Sequence, residues 1–484
     1  MRNENNLKSK VLSGFFWKFG ERITAQLISL IVSVILARLL SPSDYGAVAL
    51  VMIFITFANV FVSSGLGTAL VQKEGADNLD FSSVFYINIV MSVVLYIIIF
   101  LTAPFISDFY NLPVMSPVLR VLGLRIIVAA VNSVQHAYVS REMLFKKFFW
   151  STLFGTLLSG IVGVFMAYCG FGVWALVAQY LTNTCTDTIV LWFTVPWRPE
   201  WKCSLKRAKG LISFGWKLLI SSLLDTGYNQ LRSLIIGKLY TSEALAFYNQ
   251  GDKYPSIIMT NINTSIGSVI FPVMAQYQND PEKVKQMTRR AIQISSYTMW
   301  PLMLGLGVVA EPVVRIVLTD KWLPCVPYLR IFCFTYGLWP IHTANLQALN
   351  AMGRSDWFLK LEIIKKVIGL VILGVSIQFG PFAIACSLVV SGGISIFINA
   401  APNIKLLNYR YTEQLNDLFP SFFLSIVMAI IIYPICFLNL PDIVILLLQI
   451  VAGSVLYLIL SIITRQQSFF FLCDFLKTKF ASKY

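Results

Sequence analysis

The chain has 484 residues, 57% of them apolar and 13% charged, and its 38 Lys and Arg against 23 Asp and Glu give a formal charge of +15. A mean hydropathy of +0.72 with so few charges excludes a water-soluble enzyme, because soluble domains carry about 25% charged residues. Apolar runs of membrane-spanning length recur along nearly the whole chain, longer than the roughly 10 residues of a barrel strand, so the fold class is an all-α polytopic membrane protein.

The first run, FFWKFGERITAQLISLIVSVILARLL (15–40), outlasts a signal-peptide core and ends in the turn LLSPSDYG, so it is expected to stay as a helix. In that turn Ser41 as cap, Pro42 at the first position and Asp44 near the dipole mark the start of the next helix. Hydropathy read against Gly, Pro and charge places fourteen helices: 12–40, 44–71, 80–106, 117–140, 147–169, 172–195, 210–239, 244–276, 286–311, 325–352, 359–379, 381–403, 417–438 and 442–464. The longest polar stretches, 197–210 and 276–290, are only loop-sized. Eight scattered cysteines without a CxxC predict neither a disulfide framework nor a metal site. His136 and His342 have no carboxylate or cysteine at metal spacing, and they read as packing residues.

Charge then orients the helices. Arg2, Lys8 and Lys10, the stretches 141–147, 198–209 and 283–290, Arg354 to Lys366, Lys405 and Arg410, and the tail from Arg465 to Lys483 all fall on one side. The opposite loops hold only Lys321, so the positive-inside rule makes both termini cytoplasmic. Spread over separate loops, the excess charge encodes orientation and offers contacts for membrane lipid; it does not form the single patch of a nucleic-acid binder.

The chain also resembles itself. WK at 17–18 recurs at 216–217, LARLLSPSDYGA (36–47) aligns with IGKLYTSEALAF (236–247), PVLRVL (117–122) with PYLRIF (327–332), and GFGVWAL (170–176) with QFGPFAI (378–384). Two parallel six-helix repeats follow, each starting in the cytoplasm, an arrangement typical of transporters that rock two halves about a central site. The expected organisation is a six-helix bundle at 1–196, a cytoplasmic linker at 197–209, a second bundle at 210–405, and a C-terminal helix pair with a tail at 406–484.

Lys18, Arg22, Gln26, Ser29 and Ser33 share one face of helix 1, with Glu21 at its edge, and the repeat offset lands on Lys217, Ser221, Asp225, Tyr228 and Arg232 of helix 7. A charge at mid-helix costs on the order of 2.5 to 3.5 kcal/mol by insertion scales, so both stripes are expected to face a water-filled cavity. Arg125 in helix 4, and Asp252 with Lys253 in helix 8, are further intramembrane charges. Arg38 and Lys238, at helix ends, read as anchors, and Arg120 and Arg330 mark the outer ends of helices 4 and 10. The candidate substrate-binding set is Lys18, Arg22, Gln26, Arg125, Arg232 and Lys253; Glu21, Asp225 and Asp252 are the candidate coupling or neutralising carboxylates; no residue is assigned a catalytic or metal role.

SGFFWKFGERITAQLISLIVSVILARLLSPSDYGAVALVMIFITFANVFVSSGLGTALVQKE (13–74) resembles the start of bacterial polysaccharide exporters of the colanic-acid and teichuronic-acid type, relatives of the O-antigen flippases in the multidrug/oligosaccharidyl-lipid/polysaccharide superfamily. LARLLSPSDYGAVAL and SSGLGTALVQ carry most of the likeness. The resemblance implies a transporter of the bacterial cytoplasmic (inner) membrane, not an enzyme. Its cargo would be a polyprenyl-pyrophosphate-linked oligosaccharide repeat unit, flipped to the outer leaflet by alternating access and coupled to H+ or Na+, with no other cofactor. A polysaccharide polymerase and glycosyltransferases would be its partners, and no nucleic acid is involved. A multidrug or metabolite exporter of the same fold is the alternative, disfavoured by the basic residues. A membrane enzyme of polysaccharide assembly is further off, because the outer loops are short.

Overall fold

Within a bilayer every backbone N–H and C=O needs a partner inside the chain, which leaves a sequence this apolar with helices. The computed structural model describes residues 2–63 and 66–481, and no strand occurs among them. In order the helices are α1 (Arg2–Leu39), α2 (Pro42–Ser63), α3 (Leu66–Gln72), α4 (Asn78–Tyr110), α5 (Met115–Arg141), α6 (Phe145–Tyr168), α7 (Val173–Thr194), α8 (Leu205–Leu239), α9 (Ser242–Gln276), α10 (Pro281–Val308), α11 (Ala310–Val317), α12 (Val326–Gly337), α13 (Trp339–Ala351), α14 (Ser355–Ser376), α15 (Pro381–Leu407), α16 (Tyr411–Ile432), α17 (Asp442–Ile463) and α18 (Gln467–Ala481).

Among the described residues nine spans are long and apolar enough to cross a membrane, and the α10–α11 pair, bent by 65°, makes a tenth. Length and composition thus account for ten of the fourteen expected spans. The other four fall short for physical reasons. α7 carries Asn183, Thr184 and Asp187; α8 carries Lys217, Asp225 and Arg232; α14 carries Lys360, Glu362, Lys365 and Lys366. The tenth expected helix is split into α12 and α13 at Leu338. Pro340 explains the split: it has no N–H to give the preceding turn, and its ring crowds that turn's carbonyl.

The chain forms two compact units, Met1–Ala246 and Phe247–Tyr484. In the first, α6 packs on α1 and α7, and α5 packs on α2, α4 and α7. α8, which the repeat places at the head of the second copy, packs on α2, α3 and α4 of this unit. One end of the unit is filled by Leu70, Phe81, Phe85, Phe148, Leu191 and Trp197. In the second unit α10 packs on α12, α13 and α16, α15 on α12, α13 and α14, and α17 on α11 and α16, around Met274, Ile292, Trp300, Ile341 and Tyr409.

The repeat leaves a matched pair of contacts. Arg120 donates from Nε to the Phe100 carbonyl at 3.2 Å in the first unit, and its counterpart Arg330 donates to the Gly307 carbonyl at 3.1 Å in the second. Each arginine satisfies a carbonyl of the preceding long helix, as expected for residues at helix ends. Lys238 likewise donates to the Phe109 carbonyl and lies over the Phe109 ring.

At the basic end of the first unit, Asp77 caps α4 by accepting from the Asp80 N–H at 3.0 Å, while Asp80 pairs with Lys73 at 2.7 Å. Arg207, at the start of α8, hydrogen-bonds Asp77, and that guanidinium holds the Asp77 carboxyl below the usual carboxylate range. Arg141 donates to the carbonyls of Leu70 and Lys73, both at 3.0 Å, capping the end of α3.

Gly46, in the SPSDYG turn, lies where the starts of α2 and α9 meet. A Cβ there would sit 1.8 Å from the Ser242 carbonyl oxygen, a backbone atom that cannot rotate away. Gly46→Ala is expected to lose about 1 to 3 kcal/mol, the usual penalty for overpacking, measured by thermal unfolding in detergent. Gly374→Ala, where a Cβ meets nothing within 4 Å, is expected to leave the midpoint unchanged or raise it.

Candidate functional site

In the first unit a cavity of 620 Å³ opens between α2, α3, α5 and α7. The sequence builds it by stripe. Arg125, Ala129, Asn132 and His136 fall at i, i+4, i+7 and i+11 of α5, while Asn183, Thr184 and Asp187 share one face of α7. Asn59 of α2 and Thr68 of α3 complete the polar lining. Small residues bring the helices close enough: a Cβ on Gly155 of α6 would lie 3.3 Å from the Asn183 carbonyl oxygen.

Arg125 is held in place from three directions. Its Nε donates to Thr184 Oγ1 at 2.8 Å, Nη1 lies 3.8 Å from the Met52 sulfur, and the guanidinium sits 5.6 Å above the Tyr180 ring. No carboxylate pairs with it among the described residues. Two and three turns further along α5, Asn132 and His136 meet Asp187 of α7: Asn132 Nδ2 donates to it at 2.6 Å and His136 Nε2 is paired with it at 3.1 Å. His136 keeps 47% of its side chain exposed and stacks on Phe148 at 4.8 Å. The carbonyl oxygens of the Asn59 and Asn132 side chains are buried without a hydrogen-bond partner among the described residues. The cavity therefore offers a fixed cation at one level and a carboxylate–imidazole pair at another.

Of the nine candidate residues, Arg125 alone lines this cavity. Lys18 and Glu21 form a local ion pair at 2.7 Å, Thr152 of α6 donates to Glu21 at 3.3 Å, and Lys18 lies 5.0 Å over the ring of Phe148, the same ring that His136 stacks on. Arg22 is exposed and Gln26 half-buried on α1. Asp225 accepts from Asn229 at 3.1 Å. Arg232 is only 5% exposed and lies 5.6 Å over Tyr228, and its Nε is buried without a hydrogen-bond partner among the described residues. In the second unit, Asp252 accepts from the Tyr336 hydroxyl at 2.5 Å and Lys253 is half-buried.

His136 packs on Phe148 as expected and is also paired with Asp187, which α7 brings to it. His342 does pack: it is buried and hydrogen-bonded to Asn399 at 3.0 Å. Asn132, Asn183 and Asp187 lie off the charged stripes of helices 1 and 7 and come together only when α5 packs on α7. The signal was present in QYLTNTCTDT, whose polar residues repeat at helical spacing in the least apolar span of the first copy.

Residues 35–327 match the family model described as polysaccharide biosynthesis protein. The succinoglycan biosynthesis transport protein ExoT of Rhizobium meliloti is 24% identical over 66% of this chain and 65% of its own length. The lipopolysaccharide biosynthesis protein WzxC of Escherichia coli is 21% identical over 88% of each chain. Among solved structures, the lipid II flippase MurJ in an inward closed conformation superposes with a TM-score of 0.74 at 14% identity, covering 93% of this chain and 99% of that one. The fold is that of this transporter.

The Asp187 network predicts an asymmetry between substitutions. Asp187→Asn keeps a side chain that can still accept from Asn132, and it is expected to unfold within a few degrees of the wild type. Asp187→Leu strands Asn132 and His136 without their acceptor, and it is expected to lose about 1 to 3 kcal/mol in the same thermal measurement in detergent.

Proposed function

The chain belongs to the polysaccharide biosynthesis protein family, and from that premise we propose that it flips a polyprenyl-pyrophosphate-linked oligosaccharide repeat unit across the bacterial cytoplasmic membrane by alternating access. The supporting observation is Arg125, a guanidinium without a carboxylate partner among the described residues, set in the wall of a polar cavity inside a membrane-spanning unit. A cation kept there at a cost of about 2.5 to 3.5 kcal/mol needs a compensating anion, and a pyrophosphate or acidic sugar supplies one. The uncharged polar lining of Asn59, Asn132, Asn183 and Thr184 suits the hydroxyl-rich remainder of the cargo, while the polyprenyl chain stays in lipid.

Coupling in this reading falls to a cation, H+ or Na+. Glu21, Asp225 and Asp252 remain candidate carriers, and the Asp187–His136 pair joins them with the strongest geometric case, because it borders the same cavity as Arg125. Both termini lie in the cytoplasm on the charge pattern, so glycosyltransferases would load the cargo on that side and a polymerase would receive it on the other.

Deletion of the gene is expected to abolish surface polysaccharide and to accumulate lipid-linked repeat units facing the cytoplasm. Normal polysaccharide without accumulation, in a strain with no second flippase, contradicts the assignment. In complementation, Arg125→Ala is expected to cut export at least about tenfold while inserting normally, since a charge-assisted contact is worth about 1.5 to 3 kcal/mol, and Arg125→Lys is expected to restore part of it. Wild-type export by Arg125→Ala removes this cavity from the substrate path.

A further inference from the structure

α16, α17 and α18 lie beyond the two six-helix repeats, and the transport reading gives them no task. Where α17 ends, Thr464, Arg465 and Gln466 turn the chain into α18, with Arg465 in the left-handed region at φ 49°. Beneath this turn lies a second polar cavity, of 510 Å³, whose walls are α10, the first half of α16 and the start of α18. It sits on the basic side of the chain, next to Lys285, Arg289 and Arg290.

Its charge is positive. Asp417 is its one carboxylate, and both oxygens are engaged: Arg289 donates from Nε at 2.8 Å and from Nη2 at 3.0 Å, Gln293 at 2.7 Å and Tyr409 at 2.7 Å. Arg289 nevertheless keeps 41% of its side chain exposed. Arg465 also lines the cavity and makes no ion pair with a described residue. Gln466 is fixed by donating to Ser421 at 3.2 Å, and Asn416, Thr464 and Gln467 add uncharged polar groups.

The opposite wall is apolar and runs from the buried Leu424 to the exposed Phe423. Pro420, Phe423 and Leu424 line it, and Phe423 is 54% exposed, stacked on the equally exposed Phe419 with centroids 6.0 Å apart. Two turns deeper along α16, Ile430 continues the exposed stripe. α18 extends the surface. Phe469 and Leu472 pack against the core of Tyr297, Leu424 and Tyr457, while Phe470 and Phe471 stay half-exposed and Arg290 covers the Phe471 ring at 5.6 Å. From Arg465 to Tyr484 the sequence has Arg465, Lys477, Lys479 and Lys483 against Asp474, a net charge of +3 (four minus one). An aromatic face with basic residues toward its end is the composition of a helix lying in the membrane interface.

A polar, positive pocket that opens along one side onto an apolar helix face has the shape of a lipid and not of a soluble anion. We propose that this pocket is a binding site for one anionic glycerophospholipid of the leaflet on the basic side. Arg465 and Arg289 take the phosphate, Asn416 and Gln467 take the hydroxyls of a glycerol headgroup, and an acyl chain runs down Phe423 toward Ile430. The appended helices thereby tie the second unit to anionic lipid, independently of what the protein transports.

The test uses the purified full chain in detergent, with phosphatidylglycerol and phosphatidylcholine offered in equal amounts and bound lipid counted by native mass spectrometry. The wild type is expected to retain phosphatidylglycerol in preference, and Arg465→Glu to weaken that preference roughly fivefold to tenfold, with Arg465→Lys close to wild type. Gln467→Glu, at a second exposed position that places an acid beside the headgroup, is expected to weaken it as well. Full wild-type preference in both Arg465→Glu and Gln467→Glu overturns the proposal. Thermal stabilisation by inorganic phosphate or glycerol phosphate alone, equal to that by phosphatidylglycerol, also overturns it, because it would make the pocket a plain anion site.

Discussion

A charge inside a bilayer must be paired, led out to water or given a ligand, and most of this molecule's polar architecture follows from that constraint. Lys18 takes the first route through Glu21. Arg120, Arg330 and Lys238 reach main-chain carbonyls near helix ends. Arg289 and Asp417 neutralise each other at the basic end of the second unit. Arg125 takes none of these routes: a threonine hydroxyl, a sulfur and an aromatic face steady it without cancelling its charge. Arg232 of α8 likewise has no ion pair with a described residue, but Arg125 lines the cavity and Arg232 does not, which is why Arg125 carries the transport proposal.

The cost of keeping such a residue falls on its surroundings. α7 gives up apolar character to supply Thr184 and Asp187, and so falls short of a span by composition alone. α8 pays in the same way for Asp225 and Arg232. The second unit interrupts a helix instead, at Leu338, one residue beyond Gly337, whose Cβ would lie 2.5 Å from the Trp300 ring. The loss of an uninterrupted hydrogen-bond ladder there is tolerable because the break is buried in protein; Ile341 and Trp300 are both fully buried.

Much of the fold was legible in the sequence because membrane helices announce themselves by length, and their order and limits follow from Gly, Pro and charge. The SPSDYG turn predicted the start of α2, where Ser41 Oγ accepts from the Asp44 N–H and Asp44 Oδ2 accepts from the Ser41 N–H, both at 3.2 Å, as a capping box requires. Breaks inside helices were less legible: Pro312 and Pro340 were visible, but whether a proline bends a span or is absorbed depends on what packs beside it. The site was legible in part. Arg125 stood out as a charge, whereas Asp187 and His136, 51 residues apart, have meaning only once α5 and α7 lie side by side. The stripes of α1 and α8 were found by periodicity, which identifies a shared face but not what that face meets. Nothing in the local sequence says that Asp252 meets Tyr336, 84 residues away.

The central claim, that the protein moves a lipid-linked oligosaccharide, is tested most directly by reconstitution. Purified protein is placed in proteoliposomes with polyprenyl-pyrophosphate-linked repeat unit from the same strain, and the fraction of glycan exposed on the outer leaflet is followed with an impermeant lectin or glycosidase. The account predicts protein-dependent exposure that responds to an imposed pH gradient and is lost in Arg125→Ala. Exposure at the rate of protein-free vesicles, from protein shown to be folded and inserted, contradicts it.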